Sequence, residues 1–267
     1  MPVKFGSKPP VIFLGIALAL ALLLPLPFAI IQPGPVSELL GSNIQVAKGS
    51  TFEFKPTTGK LYSLSVYVNS PNFQPHGINV LVAWILGSQD VVPISAVYEE
   101  GTSAKAEAEL GARQMSSSQQ SATIAAANLI KALNPDKPLA WKPSDIAFKL
   151  KYVGGPSAGL AFGLALVSRL QDPALVSGRV IAATGTITES GAIGGVGGIN
   201  QKYISAKRAK ATIFLMPKSN CQDLANLKRK VSPVGGQAPV PKIIAVNSLL
   251  EAVHALSNSN LAANYHC

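Results

Sequence analysis

Cysteine and histidine are scarce in this chain of 267 residues, which has two of the former and three of the latter. No Cys/His spacing of the zinc-ligating kind occurs, and no cysteine follows the apolar N-terminal stretch where a bacterial lipoprotein would carry one. Neither a metal nor a cofactor is expected. Acidic residues are few as well, 13 against 23 basic ones, for a formal net charge of +10. That excess favours anionic surfaces. Without an RNA-binding signature or aromatic-basic interleaving it reads as non-specific and membrane-facing, with no nucleic-acid partner. The sequence contains no G-x-x-x-x-G-K-[ST] phosphate loop, so no ATPase module is expected to unfold substrates. Internal repeats and low-complexity segments are also lacking. What the chain does have is a 48% hydrophobic composition, enough for a sizeable core in one domain or two and too much for a disordered protein.

The N-terminal "MPVKFGSKPPVIFLGIALALALLLPLPFAIIQPGP" places Lys4 and Lys8 before an uncharged run over residues 11–31. At 1.5 Å per residue that run matches a hydrocarbon core of about 30 Å. The basic side stays cytoplasmic, so residues 1–10 are expected inside and everything after residue 32 outside the cell membrane. A cleavable secretory signal is the alternative, because Pro25 and Pro27 can end a shorter apolar region near the small Ala29. Either reading exports the rest. In that oxidising space Cys221 and Cys267 form an even pair, and a disulfide that pins the tail is expected.

Alternation in "IQVAKGSTFEFKPTTGKLYSLSVYV" predicts a hairpin or meander between residues 44 and 68. The Ala-, Gln- and Leu-rich "SAKAEAELGARQMSSSQQSATIAAANLIKAL" predicts one or two helices, and "NPDKPLAWKPSD" a proline-rich connector. From Ile146 strand and helix alternate: "IAFKLKYV", "PSAGLAFGLALVSRL", "RVIAATGTITE", "INQKYISAKRAK", "ATIFLMP", a helix near residues 220–230, "KIIAV" and "SLLEAVHAL". The fold class is α+β or α/β layered, with a β-rich and helical part over 32–145 and a second region over 146–267.

The chemistry concentrates at "GGPSAG", residues 154–159. Pro156 suits a first helical turn, so Ser157 is expected in that turn among free N–H groups that can hold an oxyanion. Gly154, Gly155 and Gly159 remove side chains where a substrate backbone approaches. The bland alternative is tight helix packing with Ser157 as a cap. A serine hydroxyl needs a base, and two are available. Read as G-x-S-x-G, the stretch resembles a nucleophile elbow with Asp223 and His254 following in the required order. The other base is Lys202, in "TGTITESGAIGGVGGINQK" at a helix start, where burial and the helix dipole would lower its pKa. Against it stands the reading of Lys202 as one of eight basic residues between 200 and 232: Lys202, Lys207, Arg208, Lys210, Lys218, Lys228, Arg229 and Lys230.

Together, "GGPSAGLAFGLALVS" and "TGTITESGAIGGVGGINQKYISAKRAKATIFLMPKSN" resemble the serine and lysine motifs of the proteolytic domain of Lon proteases, in the family's order, over residues 146–256. The resemblance implies a Lon proteolytic-domain fold behind one N-terminal transmembrane helix. It implies Ser157 as nucleophile, Lys202 as general base and Thr184 as a hydrogen-bond partner of that lysine. Gly155, Pro156 and Ala158 flank the nucleophile as supporting residues. Gly154 departs from the aspartate frequent at this place in cytosolic Lon. A membrane segment followed by such a domain resembles the smaller membrane-anchored Lon-like peptidases of Gram-positive bacteria, as do "QPGP" and "MSSSQQSATIAAANLI". Where many of them insert a PDZ domain, this chain has only residues 131–145. The implied protein is an ATP-independent serine endopeptidase acting on exported peptides or unfolded segments, in a homo-oligomeric ring. A catalytically silent scaffold of the same fold is the alternative.

Overall fold

The computed structural model describes residues 9–150, 154–224, 240–258 and 264–267. Two compact units divide the chain: one comprises Met1–Gln32 with Tyr67–Ala104, the other Pro33–Val66 with Lys105–Cys267.

In the first unit, helix α1 (Pro9–Leu23) ends ahead of Pro25 and Pro27, and strand β1 (Phe28–Glu38) begins immediately after them. Residues 28–31 pair antiparallel with β4 (Asp90–Pro93), from Phe28 opposite Pro93 to Ile31 opposite Asp90. The uncharged run over 11–31 is therefore not the single helix expected from its hydropathy. Proline removes a helical donor and forces the preceding residue toward extended backbone, and β4 supplies ladder partners for residues 28–31. Among the described residues no helix is long and apolar enough to cross a membrane. Helix α2 (Gly77–Leu86) starts against the end of α1: the Gly77 N–H donates to the Leu24 carbonyl at 3.0 Å, and a Cβ on Gly77 would lie 2.3 Å from the Ala21 carbonyl oxygen.

The second unit is built on parallel strands. β3 (Lys60–Val68) pairs with β6 (Val180–Ala183), β6 with β9 (Ile213–Pro217) and β9 with β10 (Lys242–Val246), all parallel, while residues 33–38 of β1 flank β3, and β7 (Thr186–Ile187) pairs antiparallel with β8 (Ile193–Gly194) in a separate ribbon. The expected hairpin over residues 44–68 does not form. β2 (Ile44–Val46) instead pairs antiparallel with β5 (Ile146–Phe148), a hundred residues on in sequence, and β3 enters the main sheet. Local alternation cannot distinguish a near partner from a remote one. Residues 151–153 of the expected strand and most of the expected helix over 220–230 lie outside the described residues.

Helix α3 (Ala104–Leu133) is one continuous helix with a small-residue buried face that includes Met115, Ser118, Ala122, Ala125 and Ala126. Helix α4 (Gly159–Leu170) is buried at every position from Gly159 to Ser168. From Gly159 to Val167 the helix is apolar on every side and has no face to give to water, so it becomes the centre of the core. Phe148 meets Phe162 edge-on there, at 5.1 Å between ring centroids. Helix α5 (Ile199–Arg208) packs on a separate cluster in which Tyr203 meets Phe214 edge-on at 5.5 Å. Helix α6 (Leu249–Ser257) begins at Ser248, whose hydroxyl accepts the Glu251 N–H at 3.1 Å.

Candidate active site

Ser157 lies ahead of α4, not inside its first turn. Gly155 takes φ +86°, a left-handed value that suits glycine, and the chain turns through Pro156 and Ser157 before Ala158 caps the helix at Gly159. Proline at 156 thus shapes the approach to the helix and not its first turn. Two of the donors expected to be free are occupied: the Leu160 N–H goes to the Gly185 carbonyl at 3.0 Å and the Gly159 N–H to the Pro156 carbonyl at 3.4 Å. Among the described residues no hydrogen bond engages the N–H of Ser157 or of Ala158.

Two elements fix this turn. At the carboxyl end of β6, the Gly185 N–H and the Thr184 hydroxyl both donate to the Ser157 carbonyl, at 2.8 and 3.0 Å. From α3, the Ser118 hydroxyl donates to the Pro156 carbonyl at 3.0 Å, and the Gly111 carbonyl accepts the Gly155 N–H at 2.9 Å. The contact with Gly111 accounts for Gly154: a Cβ there would lie 3.2 Å from both Cα and C of Gly111. The backbone of α3 thus crowds the first carbon of any side chain at this position. Ser157 is half-buried, its backbone held on both sides.

Lys202 sits in the first turn of α5 and is 2% exposed. It forms no ion pair among the described residues, and burial alone lowers its pKa from the usual 10.5 to about 8. The turn ahead of α5 is held by Asn220, just beyond β9: its Oδ1 accepts the Val196 N–H and its Nδ2 donates to the Val196 carbonyl, both at 3.0 Å. Thr184, next to β9 through its N–H to the Leu215 carbonyl, spends its only hydroxyl hydrogen on Ser157. Its oxygen lone pairs remain open to the Lys202 amine, the partner that the sequence resemblance implied, although no Thr184–Lys202 hydrogen bond occurs among the described residues. The serine turn and the start of α5 are thus both tied to the carboxyl ends of the adjacent parallel strands β6 and β9, where open α/β sheets commonly place reacting groups.

The histidine alternative is not assembled. His254 is exposed on α6, exposed Asp223 accepts a hydrogen bond from Asn220 at 2.8 Å, and no hydrogen bond links either to the other or to Ser157 among the described residues. Nor do three or more His, Cys, Asp or Glu side chains gather into a metal site among them. Cys221 and Cys267 are joined by a disulfide. Ser118, Gly111, Gly185 and Asn220 escaped the sequence reading because each acts through backbone partners remote in the chain. Asn220 ends the stretch that carried the lysine motif, which was its only signal.

The family model described as the Lon protease (S16) C-terminal proteolytic domain matches residues 77–249. The Lon protease of Chlamydia trachomatis is 28% identical over 192 residues, 68% of this chain and 23% of that protein. The Lon protease of Clostridium acetobutylicum is 29% identical over 160 residues, 58% of this chain and 20% of that protein. That of Heliobacterium modesticaldum reaches 41% over a shorter 81 residues, 29% of this chain and 10% of that protein. The chain thus spans less than a quarter of the length of these relatives.

Proposed function

The chain belongs to the family of the Lon protease (S16) C-terminal proteolytic domain, and from that premise we propose that it is a serine endopeptidase with Ser157 as nucleophile and Lys202 as general base. The observation that carries the reading is a lysine buried to 2% exposure with no carboxylate partner, at the same strand ends as a half-exposed serine on a braced turn.

With a pKa of about 8, about a tenth of Lys202 is neutral at pH 7, against less than a thousandth for an ordinary lysine. Neutral Nζ takes the Ser157 Oγ proton as Oγ bonds to the substrate carbonyl carbon. The ammonium so formed returns that proton to the leaving amine nitrogen as the peptide C–N bond breaks. Water then repeats the cycle on the acyl-enzyme. The unengaged N–H groups of Ser157 and Ala158 are the candidate oxyanion donors, and such donors contribute roughly 3–4 kcal/mol each in known cases.

Substrates are exported peptides or flexible segments that enter already extended, without nucleotide-driven unfolding, and the protein works on the outer side of the cell membrane. The disulfide and the apolar N-terminal helix support that location. The test is cleavage of unstructured peptides by the full chain. Wild type cleaves, while Ser157→Ala and Lys202→Ala each lose at least a thousandfold in kcat/KM while remaining folded by circular dichroism. Equal cleavage by all three overturns the assignment.

A further inference from the structure

The first unit turns an unusual amount of apolar side chain outward. On α2 the inward positions are Gly77, Val80 and Ala83. Ile78, Leu81, Val82, Trp84, Ile85 and Leu86 all point to solvent, with Trp84 65% and Ile85 74% exposed. At 100° per residue these six cover an arc of about 200° with no charge in it. A water-facing helix surface ordinarily shows the reverse pattern. Asn79 is the only polar side chain in the helix.

We propose that α2 is a membrane-interface helix that lays its Leu81, Trp84 and Ile85 face into the headgroup and acyl boundary of a lipid bilayer beside the end of α1. The proposal rests on a location at the outer face of the cell membrane, the one assigned to the peptidase, and deepens it from one membrane-contacting element to two.

Helix α1 identifies the occupant. Its residues 12–20 are exposed on every side, and none of them is charged. A protein groove or a second copy would cover one face of a helix, whereas lipid covers apolar surface around the whole circumference. The bond between Gly77 and Leu24 and the Gly77–Ala21 approach seat the start of α2 at the end of α1, so the exposed face of α2 continues the same apolar surface. Tryptophan, with an apolar ring and one N–H, is favoured at the headgroup level. Lys4 and Lys8 ahead of α1 in the sequence add attraction to anionic lipid, so a bilayer that contains anionic lipid is the appropriate probe.

The chain has two tryptophans, and the other, Trp141, is 7% exposed in the core of the second unit. The experiment reconstitutes the full chain into phosphatidylcholine/phosphatidylglycerol nanodiscs with and without lipids brominated in the acyl chains. In Trp141→Phe, Trp84 emission shifts to the blue and falls by about half with brominated lipid. In Trp84→Phe, the remaining emission is unchanged by bromination. If Trp141→Phe does not fold, the wild type minus Trp84→Phe difference spectrum reads the same quantity. Solvent-like, unquenched Trp84 overturns the proposal. A blue shift without quenching, accompanied by self-association, also overturns it and assigns the face to a second copy. Cleavage of soluble peptide by the same nanodiscs tests the peptidase reading separately: quenching with no Ser157-dependent cleavage retains this proposal and removes that one.

Discussion

In the proposed dyad a single lysine is the base, and its environment makes its behaviour pH-dependent in a defined direction. Desolvation is the only cause that lowers the Lys202 pKa to about 8, so the active neutral form gains tenfold per pH unit below that value and saturates above it. Peptide kcat/KM measured from pH 6 to 9.5 should therefore rise with unit slope and level off near 8. The same burial costs stability. The folded-state value lies below the unfolded one, so the unfolded chain binds the extra proton between about 8 and 10.5 and stability rises with pH across that window. Below pH 8 the full penalty, about 3 kcal/mol, applies. Lys202→Met should accordingly be more stable than wild type at pH 7 in urea unfolding, by up to about that amount, with the difference shrinking toward pH 10.5. Serine and lysine were both visible in the sequence. What chose Lys202 among eight basic residues there was the resemblance, because burial is a property of neighbours that no local pattern contains.

At the scale of elements, the serine turn owes its shape to α3 as much as to its own glycines. Gly154 and Gly111 face each other unequally: a Cβ on Gly154 would press on α3 backbone at 3.2 Å, whereas a Cβ on Gly111 would find its nearest neighbour, Gly154 Cα, at an ordinary 3.5 Å. Gly154→Asp, which introduces the acid of cytosolic relatives, should cost about 1–3 kcal/mol by displacing α3 or the turn, and should lower kcat/KM. Gly111→Ala, in the interior of α3, should raise stability by about 0.5–1 kcal/mol in thermal unfolding and leave cleavage near wild type. The long apolar and alanine-rich periodicities of α3 and α4 were legible because they are local. The partner of β2 was not, since β5 lies a hundred residues away and alternation specifies a face but not a neighbour. The break between α1 and β1 was signalled by Pro25 and Pro27. Hydropathy alone obscured it, because the same apolar residues serve a helix and a strand.

At the scale of the molecule, the C-terminal tail is anchored at the edge of the sheet. The Tyr265 carbonyl accepts the Ala245 N–H at 2.8 Å, one hydrogen bond on the outer edge of β10, and the disulfide from Cys267 to Cys221 holds the tail there. The bridge spans a sequence separation of 46, for which chain entropy gives a stabilisation of about 4 kcal/mol. Reduction should lower the Tm by on the order of 10 °C in a thermal melt with and without dithiothreitol, and expose the β10 edge to association. The sequence by itself determined the helices with strong periodicity, the candidate serine and its candidate bases, and, through two motifs in the right order, the family. These depend on residue type and near spacing. Only the tertiary structure decided that Lys202 is dry, that Thr184 spends its hydrogen on the serine carbonyl, that the backbone of α3 crowds Gly154, and that α2 turns its apolar face outward. Each of those depends on which distant backbone arrives beside a residue, and packing of the whole chain settles that.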